Sequence, residues 1–440
     1  MLRDSVRTIG AKLLILVVGI VSSILIARAL GPTWRGALAL IILPQTIFLK
    51  AAPLGIDRGN IFFCAKEPGR ISDIVRNSFW AGLVIGIAGF ILFYIYTLTS
   101  AFEIFSQGII HGFFIIIAST FPFLLISLYL DAIIYGRDMI GIRNLKEVGL
   151  NILMLVSLVF GFFVLKKQLL AAVGASWVVA VVGFIVSLIL IHKYIAPIKL
   201  RGIDWPYLRR SFPFGLKNHI SIAAIMLVFP VLTFMARSRL PQEQVYLRFD
   251  QIAFLAMAFA MFDRGMLMPR SIVFALVPKI TGVERDEALR WTLKASRYNI
   301  LFTLIVFAIL YFLIRDITVL FYGKSFEPIA GPFKVMVPGA VFLSIGEVLA
   351  AGLFARGRVN AILAAGLLGF IVSVATGWYW LNGFSILGGA LSATLGFFVY
   401  ALILFVAFII EVPFSGKDMF ILTQSDMADI KGKLRRKAKG

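Results

Sequence analysis

Apolar and charged residues are segregated along this chain into long blocks. Between Arg358 and Glu411, 52 residues pass without a charged side chain. A helix needs about 20 apolar residues to cross a hydrocarbon core about 30 Å thick. That block therefore predicts two membrane spans, with the turn between them at Leu381-Asn382-Gly383. Uncharged stretches also cover 77–102, 104–130, 148–165, 168–192, 218–236 and 298–314. Four further spans are predicted over 13–27, 36–49, about 246–270 and 335–355, the last with Glu347 inside it. The fold class expected is all-α: a polytopic membrane protein of about 12 transmembrane helices.

Composition supports this pattern. Apolar residues make up 60% of the chain and charged residues 15%, with a mean hydropathy of +0.96; soluble domains carry about 25% charge. The one cysteine, Cys64, excludes an internal disulfide framework, and no Cys/His spacing points to a metal. The net charge of +21 comes from basic residues between apolar spans, so anionic membrane lipids are the expected partner and nucleic acid is not. With the N-terminus inside, the cytoplasmic segments hold 32 Lys and Arg and the outer loops 10, with Arg264 inside span eight. This places both termini in the cytoplasm of a multi-pass inner (plasma) membrane protein. Arg3, Arg7 and Ala27-Arg28-Ala29 loosely imitate a signal peptide, but Arg fits a cleavage site poorly, so the stretch is read as a retained first span.

The halves echo each other six spans apart. Gly10-Ala11-Lys12 opens span one and Gly215-Leu216-Lys217 span seven. Ala27-Arg28-Ala29-Leu30 closes span one, and Ala236-Arg237-Ser238-Arg239-Leu240 closes span seven. Tyr135-Gly136-Arg137 and Phe354-Ala355-Arg356 follow spans four and ten. The organisation expected is two pseudo-symmetric six-helix lobes, 1–192 and 214–411, joined by a basic cytoplasmic linker, 193–213, and followed by a polybasic tail, 412–440. The tail, with Lys431, Lys433, Arg435, Arg436, Lys437 and Lys439, reads as a lipid anchor, and Glu284 to Arg297 as a short amphipathic helix along the inner surface.

Ionisable residues within spans are functional candidates. Arg264 lies deepest; the bland reading is a contact with Asp250 or Glu347. Arg270 is equally an inner-end anchor. Arg28 and Lys50 sit near span ends, where a long side chain can snorkel. Asp131, Asp250, Asp263 and Glu347 are the acids in spans, and Glu347 is the best candidate for Na+ or proton coupling, or for a salt bridge that locks the lobes. His219 is a candidate for proton coupling, but a lone His is more often structural, as is His111. Pro44, Pro53, Pro122, Pro230, Pro269 and Pro338 are candidate hinges or fixed kinks. No nucleophile elbow, phosphate loop, metal motif or dinucleotide fingerprint is present, so no catalytic residue, metal or cofactor is expected and the chain is not read as an enzyme.

Several short motifs carry a family resemblance. Leu30-Gly31-Pro32-Thr33-Trp34-Arg35-Gly36, Leu54-Gly55-Ile56, Phe321-Tyr322-Gly323-Lys324-Ser325-Phe326 and Leu387-Gly388-Gly389-Ala390 resemble the oligosaccharide-lipid flippases (O-antigen, Wzx type) of the multidrug/oligosaccharidyl-lipid/polysaccharide exporter superfamily. Where that family has Gly-Tyr-Gly after span one, this chain reads Thr33-Trp34-Arg35-Gly36 and adds a cation. The resemblance implies a carrier that moves a polyprenyl-diphosphate-linked oligosaccharide from the inner to the outer leaflet by alternating access, for cell-surface polysaccharide assembly. It implies a polar, cationic chamber lined by spans one, two, seven and eight, and a polysaccharide polymerase and chain-length proteins as companions. Arg264, Arg28, Lys50, Arg270, Arg35 and Arg58 form the substrate-binding set; Glu347, Asp250, Asp263 and His219 are the ion-coupling candidates. The alternatives are a cation-coupled multidrug antiporter of the same superfamily and a membrane-embedded polysaccharide polymerase or ligase.

Overall fold

The computed structural model describes residues 2–198, 200–240, 245–280 and 283–411, together with Met419. Lys199, the polybasic tail from 412 and the side chains of Arg3, Arg7, Arg210 and Lys217 lie outside the described residues. Among those described there are thirteen α-helices and no strand. They are α1 (Leu2–Ala51), α2 (Ile56–Lys66), α3 (Ile71–Thr97), α4 (Ser100–Ser106), α5 (His111–Ala118), α6 (Phe121–Gly136), α7 (Ile140–Val159), α8 (Gln168–Tyr194), α9 (Trp205–Arg239), α10 (Val245–Ile280), α11 (Arg285–Tyr322), α12 (Ala330–Ala355) and α13 (Val359–Glu411).

Ten helical segments are long and apolar enough to cross a membrane, and the chain is a multi-pass membrane protein. Two of the ten are double. α1 is interrupted at Gly31 (φ 69°, ψ 176°) and α13 at Ser385 (φ 52°, ψ −139°). The reversal in α13 shows in its packing: a Cβ on Gly388 would lie 1.9 Å from the Trp380 carbonyl oxygen. In a straight helix residues eight apart are separated by about 12 Å. Small residues then hold the two arms together, since a Cβ on Gly396 would strike Ser373 and the Gly369 carbonyl. Counting both doubled helices gives the twelve spans that the charge pattern predicts. The expected turn at Leu381-Asn382-Gly383 stays helical, and the chain reverses at Ser385 instead.

The helices form two compact units, one of Met1–Ala256 with Thr318–Glu327, the other of Met257–Ile317 with Pro328–Gly440. The first unit therefore takes in α9, the start of α10 and the end of α11, beyond the first six spans. Its core joins Ile74, Leu130, Ile133, Ile134 and Ile191 to Tyr207 of α9. Two glycines of the sequence motifs make its close contacts possible. A Cβ on Gly36 would fall 1.8 Å from the Phe249 carbonyl oxygen of α10, and one on Gly55 would fall 2.2 Å from Gly215 of α9. Short α2 is fastened by Asn60, whose Nδ2 donates to Ser78 Oγ (2.7 Å) and to the Tyr129 carbonyl (3.2 Å).

The linker is shorter and more fixed than its composition suggests. α8 ends at Tyr194 and α9 starts at Trp205. Asp204 caps α9 by accepting from Tyr207 N (3.0 Å), exchanges hydrogen bonds with Asn77 and pairs with Arg70. Trp80 Nε1 donates to the Leu200 carbonyl (2.9 Å). In the second unit, Glu284–Arg297 is not a separate surface helix: α11 runs unbroken through Arg285–Tyr322, because no Gly or Pro interrupts it. Its first turns bury Ala288 against Leu276, Ile280, Val348 and Ala351. Phe262 stacks on Phe397 (5.9 Å) and Phe307 on Phe333 (6.1 Å). Of the candidate hinges, Pro122 stands in the first turn of α6, where it costs no hydrogen bond; Pro44, Pro230, Pro269 and Pro338 are inside helices.

Two predictions follow from this packing. Gly36→Ala pushes α1 off the Phe249 backbone, so it is expected to destabilise the protein by roughly 1–3 kcal/mol, as overpacking does, read as a lower unfolding midpoint in detergent. The Asp204 carboxyl is held below the usual carboxylate range by the Tyr207 N–H first, then by Arg70. A depressed folded-state pKa stabilises above the unfolded value and is lost as pH falls through the folded one. Acidification should therefore expose the 195–204 connection to protease, and Asp204→Asn should remove that pH dependence.

Candidate functional site

Three ionisable residues of the second unit, Asp263, Arg270 and Glu347, meet at α10. Asp263 and Arg270 are seven residues apart, two turns along one helix face. Arg270 Nη1 donates to Asp263 Oδ1 (2.7 Å) and Arg270 Nε to Glu347 Oε1 of α12 (2.8 Å). Glu347 Oε2 is buried with no hydrogen-bond partner. The absence of a side chain at Gly346 lets the Tyr400 ring pack beside this helix, since a Cβ there would lie 2.5 Å from it. Arg270 is therefore the centre of an ion triad, neither an inner-end anchor nor a free guanidinium. The expected partner of Glu347, Arg264, is not the observed one. Arg264 is half-buried and, among the described residues, has no hydrogen bond, ion pair or ring contact.

The remaining candidates lie in the first unit. Arg28 is exposed and donates Nε to the Phe321 carbonyl and Nη2 to the Leu320 carbonyl, both at 2.8 Å. These acceptors are in the last turn of α11, whose carbonyls lack helical partners. Its fork is thus filled by backbone. Asp250 accepts from Thr33 Oγ1 (2.6 Å), so it is not the partner of Arg264 either. His219 Nε2 lies 3.2 Å from the Ala51 carbonyl, a structural contact. Arg58 is exposed on α2 beside Asp57 (3.5 Å). Arg35 and Lys50 are half-buried in the second arm of α1. His111 contacts Ser106 Oγ at 2.9 Å.

One buried centre escaped the sequence reading. Lys146 sits two turns into α7 with its side chain 2% exposed. Its ammonium donates to Asp131 Oδ1 and Oδ2 (2.6 and 2.8 Å), Ser127 Oγ (2.9 Å) and Ser187 Oγ (2.5 Å). The signal was present: Ser127 and Asp131 are four apart, as are Gly183 and Ser187, which puts each pair on one face of its helix. Arg237, noticed only as part of a repeat, is also buried, and it donates to two main-chain carbonyls.

No family model matches the chain and no curated protein matches it in sequence. Solved structures do. An inward-facing multidrug resistance MATE family transporter of the MOP superfamily superposes with a TM-score of 0.72 at 16% identity, covering 90% of this chain and 93% of that one. The lipid II flippase MurJ, in an inward closed conformation, gives 0.71 at 16% identity over 95% and 89%. A MOP superfamily transporter from Pyrococcus furiosus, whose binding pocket is described as reversed in polarity, gives 0.67 at 15% over 92% and 94%. This chain has their fold. At such identities the likeness speaks for architecture alone.

The Lys146 cluster supplies a stability test. Asp131→Asn leaves a buried ammonium without its counter-charge, which costs about 3–5 kcal/mol. The double variant Asp131→Asn with Lys146→Met is expected to recover most of that loss in a detergent unfolding assay.

Proposed function

We propose that this chain is a carrier that moves a polyprenyl-diphosphate-linked oligosaccharide from the inner to the outer leaflet by alternating access. The observation that carries this reading is Arg264, a half-buried guanidinium within a membrane span and without a protein partner among the described residues. A cation at that depth needs an anion or water. A diphosphate headgroup supplies the anion, and the planar fork of Arg matches its oxygens in pairs. The prenyl tail can remain in lipid while the sugar hydroxyls cannot, because each unpaired polar group in hydrocarbon costs several kcal/mol. The fold shared with a lipid II flippase supports the same reading.

Arg270 does not bind substrate in this proposal. It holds Asp263 and Glu347, and the unpartnered Glu347 Oε2 is the place for a coupling proton or Na+. Arg28 is likewise committed to backbone and leaves the substrate set. Arg35, Lys50 and Arg58 stay in the substrate-binding set on their charge. The chain performs no covalent chemistry. It works in the plasma membrane with both termini in the cytoplasm, and hands its cargo to a polymerase and chain-length proteins. The second reading is a cation-coupled multidrug antiporter, favoured by the shared fold with a multidrug resistance transporter. A partnerless arginine disfavours organic cations as cargo.

The test uses vesicles holding the purified protein and a fluorescent polyprenyl-diphosphate glycan, with a fluorescent organic cation in parallel. The lipid should cross and the cation should not. Arg264→Ala should slow flipping by about 30- to 100-fold, the worth of a bidentate charged contact, while Arg264→Lys keeps part of the rate. Glu347→Gln should abolish the response to a Na+ or proton gradient. Unchanged flipping by Arg264→Ala, or export of the cation alone, would refute the reading.

A further inference from the structure

Two arginines six spans apart make the same pair of bonds. Arg28, near the end of span one, donates Nε and Nη2 to the carbonyls of Phe321 and Leu320. Arg237, near the end of span seven, donates Nε to the Phe105 carbonyl (2.9 Å) and Nη2 to the Gln107 carbonyl (2.6 Å). Each follows an alanine, in Ala27-Arg28 and Ala236-Arg237. The acceptors correspond too. Leu320 and Phe321 end α11, which is span nine. Phe105 and Gln107 are at the end of α4, the short helix that follows span three. The first span of each sequence repeat thus caps a helix end in the other repeat: Arg28 the end of span nine, Arg237 the end of α4, just beyond span three. Such a cap satisfies carbonyls that a helix leaves open and sets a cation at the negative end of its dipole.

Neighbouring contacts reinforce both caps. Ser23 Oγ lies 3.5 Å from the Tyr322 hydroxyl, and Phe105 stacks on Phe234 at 5.0 Å. The Arg237 guanidinium also lies 4.9 Å from the centre of the Phe249 ring. The first cap shapes the compact unit: Thr318–Glu327 belongs with residues 1–256, whereas the chain on both sides of it belongs to the other unit. The two caps differ in burial. Arg28 is exposed and Arg237 is 2% exposed, so the first can exchange its carbonyls for water at little cost and the second cannot.

We propose that Arg28 and Arg237 are a matched pair of latches that fasten the ends of spans one and seven to the ends of span nine and α4, and that Arg28 is the one released first when these helix ends part. The latches clasp backbone and are indifferent to cargo. They therefore stand or fall independently of the flippase reading, and their test contains no substrate.

The experiment places reporter cysteines at two buried positions, Ser23→Cys beside the first latch and Ser106→Cys beside the second, in separate full-length proteins in lipid vesicles. The native Cys64 is fully buried and remains as an internal control for folding. Labelling by a membrane-impermeant maleimide is followed site by site by mass spectrometry. Arg28→Ala should raise labelling at both reporters by about tenfold, the shift expected when a minor state gains population, with Cys64 silent. Arg237→Lys, which keeps the charge but loses the fork, should do the same. A rise confined to the reporter beside the altered arginine would show two independent helix caps and overturn the proposal. So would unchanged labelling at both reporters, or reaction of Cys64 together with them, which would make the arginine a requirement for folding.

Discussion

In hydrocarbon a polar group must find its partner within the protein, and this constraint organises most of the structure. Backbone groups meet it by forming helices, which is why an apolar chain of this length is helical almost throughout. Charged side chains meet it in three ways here. Lys146 is enclosed by a carboxylate and two hydroxyls. Arg270 is divided between two acids. Arg28 and Arg237 use carbonyls that helix ends leave open. Among the described residues Arg264 has none of these partners, and that contrast makes it the residue on which the proposed function rests.

The spans were legible because a bilayer filters sequence coarsely: charge is excluded over lengths of about 20 residues. The doubled helices α1 and α13 were readable for the same reason, even though each is nearly continuous. The exact reversal in α13 was not, since Asn382 and Gly383 allow a turn without requiring one. The continuity of α11 was missed because an amphipathic segment beside an apolar one invites a break, and only the absence of Gly and Pro over Arg285–Tyr322 argues against it. The compact units also cut across the sequence repeat, because α9 packs on α1 and α2 through contacts such as Gly55 with Gly215.

The candidate site was less legible than the fold. Sequence depth singled out Arg264, Arg270 and Glu347 but could not say which of them pair. Position along a helix gives a side chain's face, not its rotamer or the neighbour across the groove. A lysine near a span end ordinarily reaches water, so nothing in its position marks Lys146; Asp131, Ser127 and Ser187 keep it inside. Arg28 was misjudged for a related reason. A guanidinium suits phosphate and peptide carbonyls alike, and residue type cannot tell an anion site from a helix cap.

The bond from Arg28 to Phe321 spans 293 residues of chain, which sets a delay during biosynthesis. At a synthesis rate of about 5–20 residues per second, Arg28 waits roughly 15–60 s for its acceptors to emerge. During that interval its charge must be carried by water and lipid phosphates at the membrane surface. The contact that ties the end of span one to the end of span nine is thus among the last that the first arm of α1 can make.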